Sequence, residues 1–168
     1  ADGSPNKDGP TSKPGLNWWT ARALWALAEG AAAFRKTDPA YAAQLRAEAM
    51  RTVDALAADL AKRDKTTWRW GRGPGSVAAP GWFVGQAPDV TAVCVLGLAA
   101  LHAAQPDARA AHLIRRYGAA IGQWKQARTG ALLPGLGPSH WHAYGAHMLH
   151  ALAAGGAAIK SRELLAAA

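Results

Sequence analysis

The stretch GLNWWTARALWALAEG, Gly15 to Gly30, decides how the rest of the chain is read. Trp18, Ala21, Trp25, Ala28 and Ala32 recur at helical spacing, and so do Leu24, Leu27 and Ala31. The segment is therefore predicted to be a helix that ends near Phe34. It is apolar almost all round, the pattern of a helix enclosed by other helices. Asn17 is placed to cap it, since an asparagine oxygen can accept a free backbone amide at a helix start. Two tryptophans side by side at that start either seal the end of a core or form a surface on which something flat stacks. Trp25, in mid-helix, reads as core.

Downstream, KTDPAYAAQL restarts the chain with Asp38 as cap and Pro39 at the first helical position. The helix that follows runs to about Lys62. Leu45, Ala49, Thr52, Val53, Leu56 and Leu60 form one apolar stripe, with Arg46, Glu48, Arg51 and Lys62 away from it. An enclosed helix is thus followed by a one-sided one. The pattern returns after Asp89, read as the next cap: VTAVCVLGLAALHAA is apolar all round. The segment QPDARAAHLIRRYGAAIGQWKQA carries Leu113, Tyr117, Ile121 and Trp124 on one stripe. The stretch from Thr20 aligns with that from Thr91, which sets Trp25 opposite Leu96. A third apolar helix, HWHAYGAHMLHALAAGG, is followed by a short KSRELLAAA. The chain divides into an N-terminal segment 1–16, rich in Gly, Pro, Ser, Asp and Lys, and a helical domain 17–168. The hairpins cover about 17–64, 89–127 and, in part, 140–168. Repetition on this scale marks stacked helical pairs, an all-α fold. Between the first two pairs, residues 66–88 hold five glycines, three prolines, Trp68, Trp70, Trp82 and Phe83, and read as a long aromatic loop.

Length and composition narrow the classes. The 168 residues suit one domain, and an apolar share of 50%, largely alanine, suits a helical globule. No uncharged apolar run reaches the roughly 18 residues that a membrane span needs. Cys94 is the single cysteine, which excludes an intrachain disulfide and a cysteine zinc site, and it reads as a small buried hydrophobe. A first residue of Ala rather than Met suggests a processed chain or a piece of a longer one. The net charge of +8 is uneven. From Lys65 onward there are ten Lys or Arg and only three acids, Asp89, Asp107 and Glu163. A basic surface attracts anionic polymers, but no compact basic cluster of the kind that marks nucleic-acid binding occurs.

An enclosed helix alternating with an amphipathic one, joined by aromatic Gly/Pro loops, resembles the six-hairpin glycosidase superfamily, whose members are (α/α)6 toroids. DPAYAAQLRAEAMRTVDALAADL is similar to an outer helix of its cellulase-like members, and WWTARALWALAEG to an inner one. The resemblance covers about Asn17 to the end. It rests on helix pattern, without a catalytic signature, and the five or six helices here are fewer than the twelve of a closed toroid, which implies either a fragment of a longer protein or an open half-toroid completed by a partner chain. It implies a carbohydrate-active protein, a glycoside hydrolase or a fragment of one, in a secreted or envelope setting, with no cofactor.

Site candidates follow from where side chains fall on that plan. Trp18 and Trp19, Asp89, and the run His140, Trp141, His142 stand at the starts of the three enclosed helices, and would share a rim if those helices run parallel. Indole faces stack on pyranose rings, so Trp18, Trp19, Trp68, Trp70, Trp82 and Trp141 are the sugar-stacking candidates, with His140 beside them. Glycoside hydrolysis usually needs two carboxylates. Asp89 is the acid at the rim, and His142 is a second candidate for proton transfer. Glu29 reads either way, buried and functional or facing out. His147 and His150, at i, i+3, have spacing a metal can use, but without acid or cysteine partners no metal site is assigned. Two alternatives stand beside the sugar reading: a non-enzymatic helical module that packs on a partner chain, and a basic module on an anionic envelope polymer.

Overall fold

The computed structural model describes residues 7–9, 12, 14–70, 77–123 and 146–168. These are mostly helical: α1 Trp18–Phe34, α2 Pro39–Arg63, α3 Pro88–Ala104, α4 Ala108–Gln123, α5 Ala146–Ala158 and α6 Arg162–Ala167. The caps of the first two helices are as expected. Asn17 Oδ1 accepts from the amides of Trp19 (2.9 Å) and Thr20 (3.3 Å), and Asp38 Oδ1 from Tyr41 (3.0 Å).

Residues 66–88 depart from the expected loop. Thr67–Trp70 (β1) and Val77–Pro80 (β2) form an antiparallel ribbon in which Trp68 pairs with Ala79 and Trp70 with Val77. Arg63 ties the exit of the ribbon to α2. Its Nε donates to Asp59 Oδ2 (3.1 Å) and its Nη1 to the Gly81 carbonyl (3.0 Å). A 3-10 turn, Val84–Gln86, then delivers the chain to α3, with Gly85 at φ 59° in the left-handed region. Thr91, fully buried, fastens this turn: its hydroxyl accepts from Val84 N (2.8 Å) and donates to Ala87 O (2.8 Å). Asp89 is not the cap of α3. Ala87 occupies that position because Pro88, with its fixed φ and missing amide, takes the first helical place. Asp89 lies in the first turn instead.

The helices make two layers. α1, α3 and α5 lie side by side with α3 in the middle; α2 and α4 cover them from one side, and α6 packs on α5 and α4. The inner helices point the same way. At one end Leu16 and Asn17 lie against Gly85, and Trp18 meets His147. At the other, Arg35 Nη1 reaches the Ala104 carbonyl (3.3 Å). α4 runs parallel to α2, linked to it by Arg109–Asp54 (2.5 Å), by Arg116–Asp64 and by Tyr117 Oη to Leu56 O (3.5 Å).

The core sits between the layers: Leu24, Val53, Leu56, Leu98, Leu101, Leu113, Ile114, Tyr117, Ile121 and Leu152 are among its buried members. The α2 stripe faces it through Ala49, Val53, Leu56 and Leu60. Cys94 is buried in α3, and burial pushes its thiol up to about 12, so it is inert as a nucleophile. α3 is enclosed on nearly every side, as expected, with twelve of its seventeen residues buried. α1 is not. It buries Ala21, Leu24, Ala28 and Ala31 and leaves Ala23, Ala26, Ala33 and Trp19 exposed. The expectation failed because alanine is chosen for helix propensity as readily as for burial.

Candidate functional site

Among the described residues, the three inner helices leave a cleft opposite α2 and α4. Each contributes one stripe. On α1 the spacing 18, 22, 25, 29 places Trp18, Arg22, Trp25 and Glu29 on one face, forming the first wall. On α3 Val93, Leu96, Ala100 and Ala103 make a floor without a polar side chain. On α5 His147, His150, Ala154 and Ala157 make the second wall. The cleft has two connected parts, of about 260 Å³ at the Trp18 end and about 420 Å³ at the far end, which share Trp25 and Glu29. Together they fall in the roughly 300–1,000 Å³ range of small-molecule clefts.

The walls are organised by aromatic contacts. The edge of His147 meets Trp18 with centroids 6.2 Å apart and planes at 83°; His150 meets Trp25 at 6.1 Å and 71°. Each histidine of the i, i+3 pair therefore serves a tryptophan on the facing helix. Among the described residues no group of three metal-ligating side chains gathers here or elsewhere. His147 Nδ1 is buried and makes no hydrogen bond. Trp25 Nε1 donates to Glu29 Oε1 at 3.0 Å, which holds the carboxylate beside the indole. The Arg22 guanidinium lies over the Trp18 ring at 5.2 Å and the Trp19 ring at 6.0 Å, within cation–π range.

Asp89 stands at the start of α3, close enough to His147 for the two to interact electrostatically. Burial raises its carboxyl above the ordinary value. Hydrogen bonds from its own amide and that of Val90, and the attraction of His147, oppose the rise without cancelling it. A carboxyl held protonated to higher pH is suited to donate a proton.

The expected site residues separate into groups. Trp18 lines the cleft and Asp89 lies near it through His147. Trp19, 55% exposed, stands just outside, joined through Arg22. Trp82 is elsewhere: its ring packs against Phe83 (5.7 Å) and Tyr117 (6.1 Å) with Arg116 stacked on it at 5.2 Å, on the side of α4. It does not join Trp18 on a common rim, because the ribbon turns it toward the outer layer. Trp68 and Trp70 occupy β1, where their backbones pair with β2. His140, Trp141 and His142 lie outside the described residues, as does Trp124. Trp25 corrects the core assignment: it is a half-buried wall of the cleft, and its repeat counterpart Leu96 is part of the floor. Arg22 was hidden because a charged residue on an alanine-rich helix looks like a solvated one, and Glu29, which read either way in the sequence, is exposed along the cleft. The 18–22–25–29 spacing was the available signal.

No family model matches this sequence, and no curated protein matches it significantly.

Proposed function

We propose that this chain is a carbohydrate-active domain, the part of a glycoside hydrolase that binds a polysaccharide chain in an aromatic-walled cleft, built on part of an (α/α) toroid. The observation that carries the reading is the Trp18–Arg22–Trp25–Glu29 face of α1. It sets two indoles, a carboxylate and a guanidinium along one open groove. Indoles offer a flat apolar surface to a pyranose ring, and charged or amide-like groups at their edges can bind its hydroxyls. The same-direction inner helices and the covering outer helices support the toroid reading.

Asp89 and Glu29 are the acids of this region, but Gly97 lies level with Trp25, so at 1.5 Å per residue the two stand about 18 Å apart along the parallel helices, beyond the roughly 10 Å limit of a hydrolytic pair. Each therefore serves the bound chain singly: Asp89, whose carboxyl burial raises, as a proton donor at the start of α3, and Glu29, tethered to Trp25, as an acceptor for sugar hydroxyls.

The test is a titration of intrinsic tryptophan fluorescence with a panel of neutral and acidic oligosaccharides. At least one is expected to bind, and Trp25→Ala to weaken it about tenfold or more, a loss of roughly 1.4 kcal/mol. Glu29→Gln is expected to weaken binding by no more than a few-fold. A panel with no binder, or a Trp25→Ala protein that binds as well as the parent, would end the reading.

A second reading has its own observation. The solvent edge of α1 carries Trp19, Ala23, Ala26, Ala33 and Phe34, all exposed. A continuous apolar edge of this kind suits a module whose inner layer is extended by a helix of another chain or segment. This reading needs no ligand in the cleft, so the same titration separates the two.

A further inference from the structure

We propose that the Trp18 end of the cleft recognises a carboxylate-bearing sugar, a uronic acid residue, and that Arg22 is the group that selects it. This rests on the carbohydrate reading above and names its substrate class.

Four arginines of the described chain are matched to acids: Arg51 to Glu48, Arg63 to Asp59, Arg109 to Asp54 and Asp107, Arg116 to Asp64. Arg22 is different. Among the described residues it makes neither an ion pair nor a hydrogen bond, although it lines a cleft. Glu29, on the same face, is seven residues on, about 10 Å along the helix axis at 1.5 Å per residue. Its carboxylate is engaged by Trp25. Asp89, in the first turn of α3, interacts with His147. The five N–H donors of Arg22 are thus open to a ligand.

Its position is fixed all the same. The guanidinium lies 5.2 Å from the centre of Trp18 and 6.0 Å from that of Trp19, so two indoles hold the plane and reduce the rotamer freedom lost on binding. A pyranose lying on a tryptophan wall of the cleft projects its ring substituents sideways along the groove. A carboxylate at C5 would then meet the guanidinium edge, where a planar two-oxygen group and a planar fork make paired hydrogen bonds. Glu29, where the two parts of the cleft meet, repels a second acid and accepts sugar hydroxyls. The charge pattern, a cation beside Trp18 and an anion at mid-cleft, selects a chain whose acidic unit sits at the Trp18 end. A sulfate ester is another anionic substituent found on sugars, but it is carried on an ester oxygen rather than directly on C5, so its oxygens fall farther from the ring than those of the carboxylate.

The experiment is calorimetric titration at physiological salt, where screening over about 8 Å suppresses general attraction to the +8 chain. Three ligands are used: a tetramer of glucuronic acid, the same tetramer with its carboxyls reduced to alcohols, and the reduced tetramer carrying O-sulfate. The uronide is expected to bind at least tenfold more tightly than either of the others. Arg22→Gln, at an exposed position, is expected to remove the preference by weakening the uronide at least tenfold and the reduced tetramer by no more than a few-fold. Arg115→Gln, outside the cleft, is expected to keep the preference. Equal affinity for uronide and reduced tetramer, a preference that survives Arg22→Gln or is lost in Arg115→Gln, or tightest binding of the sulfated ligand would overturn the proposal while leaving the carbohydrate reading in place. If none of the three binds the parent chain, the uronic-acid proposal falls, and the titration with the wider oligosaccharide panel decides the carbohydrate reading.

Discussion

At the scale of single residues, Asp89 shows what position in a helix does to chemistry. It sits in the first turn of α3, partly buried, where amides favour its charged form and desolvation opposes it. Desolvation wins, so the folded carboxyl titrates above the ordinary aspartate value near 3.9. The sign of the effect on stability follows. Below that value both folded and unfolded chains are protonated, and the group contributes nothing. As pH rises through the window up to the folded value, the unfolded chain loses its proton first, and the native state is progressively disfavoured. Asp89→Asn is therefore expected to gain stability relative to the parent as pH rises through this window and to hold the gain up to neutrality. Urea unfolding midpoints at a series of pH values from 3 to 7 measure it. A difference that narrows as pH rises would contradict the raised titration. The caps at Asn17 and Asp38 were legible in the sequence because one residue and its neighbours determine a cap. Asp89 was misread as one because Pro88 moves the boundary by two residues. Trp25 was misread because periodicity tells which face a side chain is on, not what that face meets.

At the scale of elements, the α1–α3 contact governs the shape of the cleft. Gly97 lies where the two helices cross most closely. A Cβ there would come within 2.8 Å of both Leu24 Cγ and the backbone nitrogen of Trp25. A side-chain tip could move aside, but the Trp25 backbone is part of a helix and cannot. Gly97→Ala is expected to destabilise by about 1–2 kcal/mol, an overpacking cost of roughly 1–3 kcal/mol reduced by alanine's helix preference of up to about 1 kcal/mol. It should also weaken saccharide binding, because α1 carries Trp25 away from α5 even though Gly97 is not in the cleft. Chemical denaturation and the fluorescence titration read the two effects separately. A variant as stable as the parent would mean that the helices part without strain. The helices themselves were legible, since 3.6-residue periodicity extends over many turns. The ribbon was not: four-residue strands set among glycines and prolines carry too few alternations to distinguish from loop, although Trp68 and Trp70 are strand-favouring residues two apart. The apolar surround of α1 was overread for a related reason, since exposed and buried alanines look the same in sequence.

At the scale of the whole molecule, the repetition in the sequence became a direction in space: three inner helices pointing one way, two long outer helices packed behind them. The sequence could anticipate that enclosed and one-sided helices alternate. It could not say which inner helix has neighbours on both sides, because that depends on what continues the layer. α3 is flanked by α1 and α5 and backed by α4, whereas α1 has one inner neighbour and an exposed edge. The short α6 is held mainly by Leu164, packed closely against Gly118, with Leu165 half-exposed. Local opening is cheapest where few buried contacts hold a segment, and an amide enclosed on all sides exchanges only when the whole domain opens. Native-state hydrogen exchange is therefore expected to rank the helices. The Val93–Leu101 amides of α3 should exchange with the free energy of global unfolding, those of α1 faster, and those of α6 fastest. Leu164→Ala should release α6 alone, raising exchange across Arg162–Ala167 while leaving α3 protection nearly unchanged. If α1 proved as protected as α3, its Trp19–Ala33 edge would have to be covered in solution, and the layer would continue beyond the chain described here.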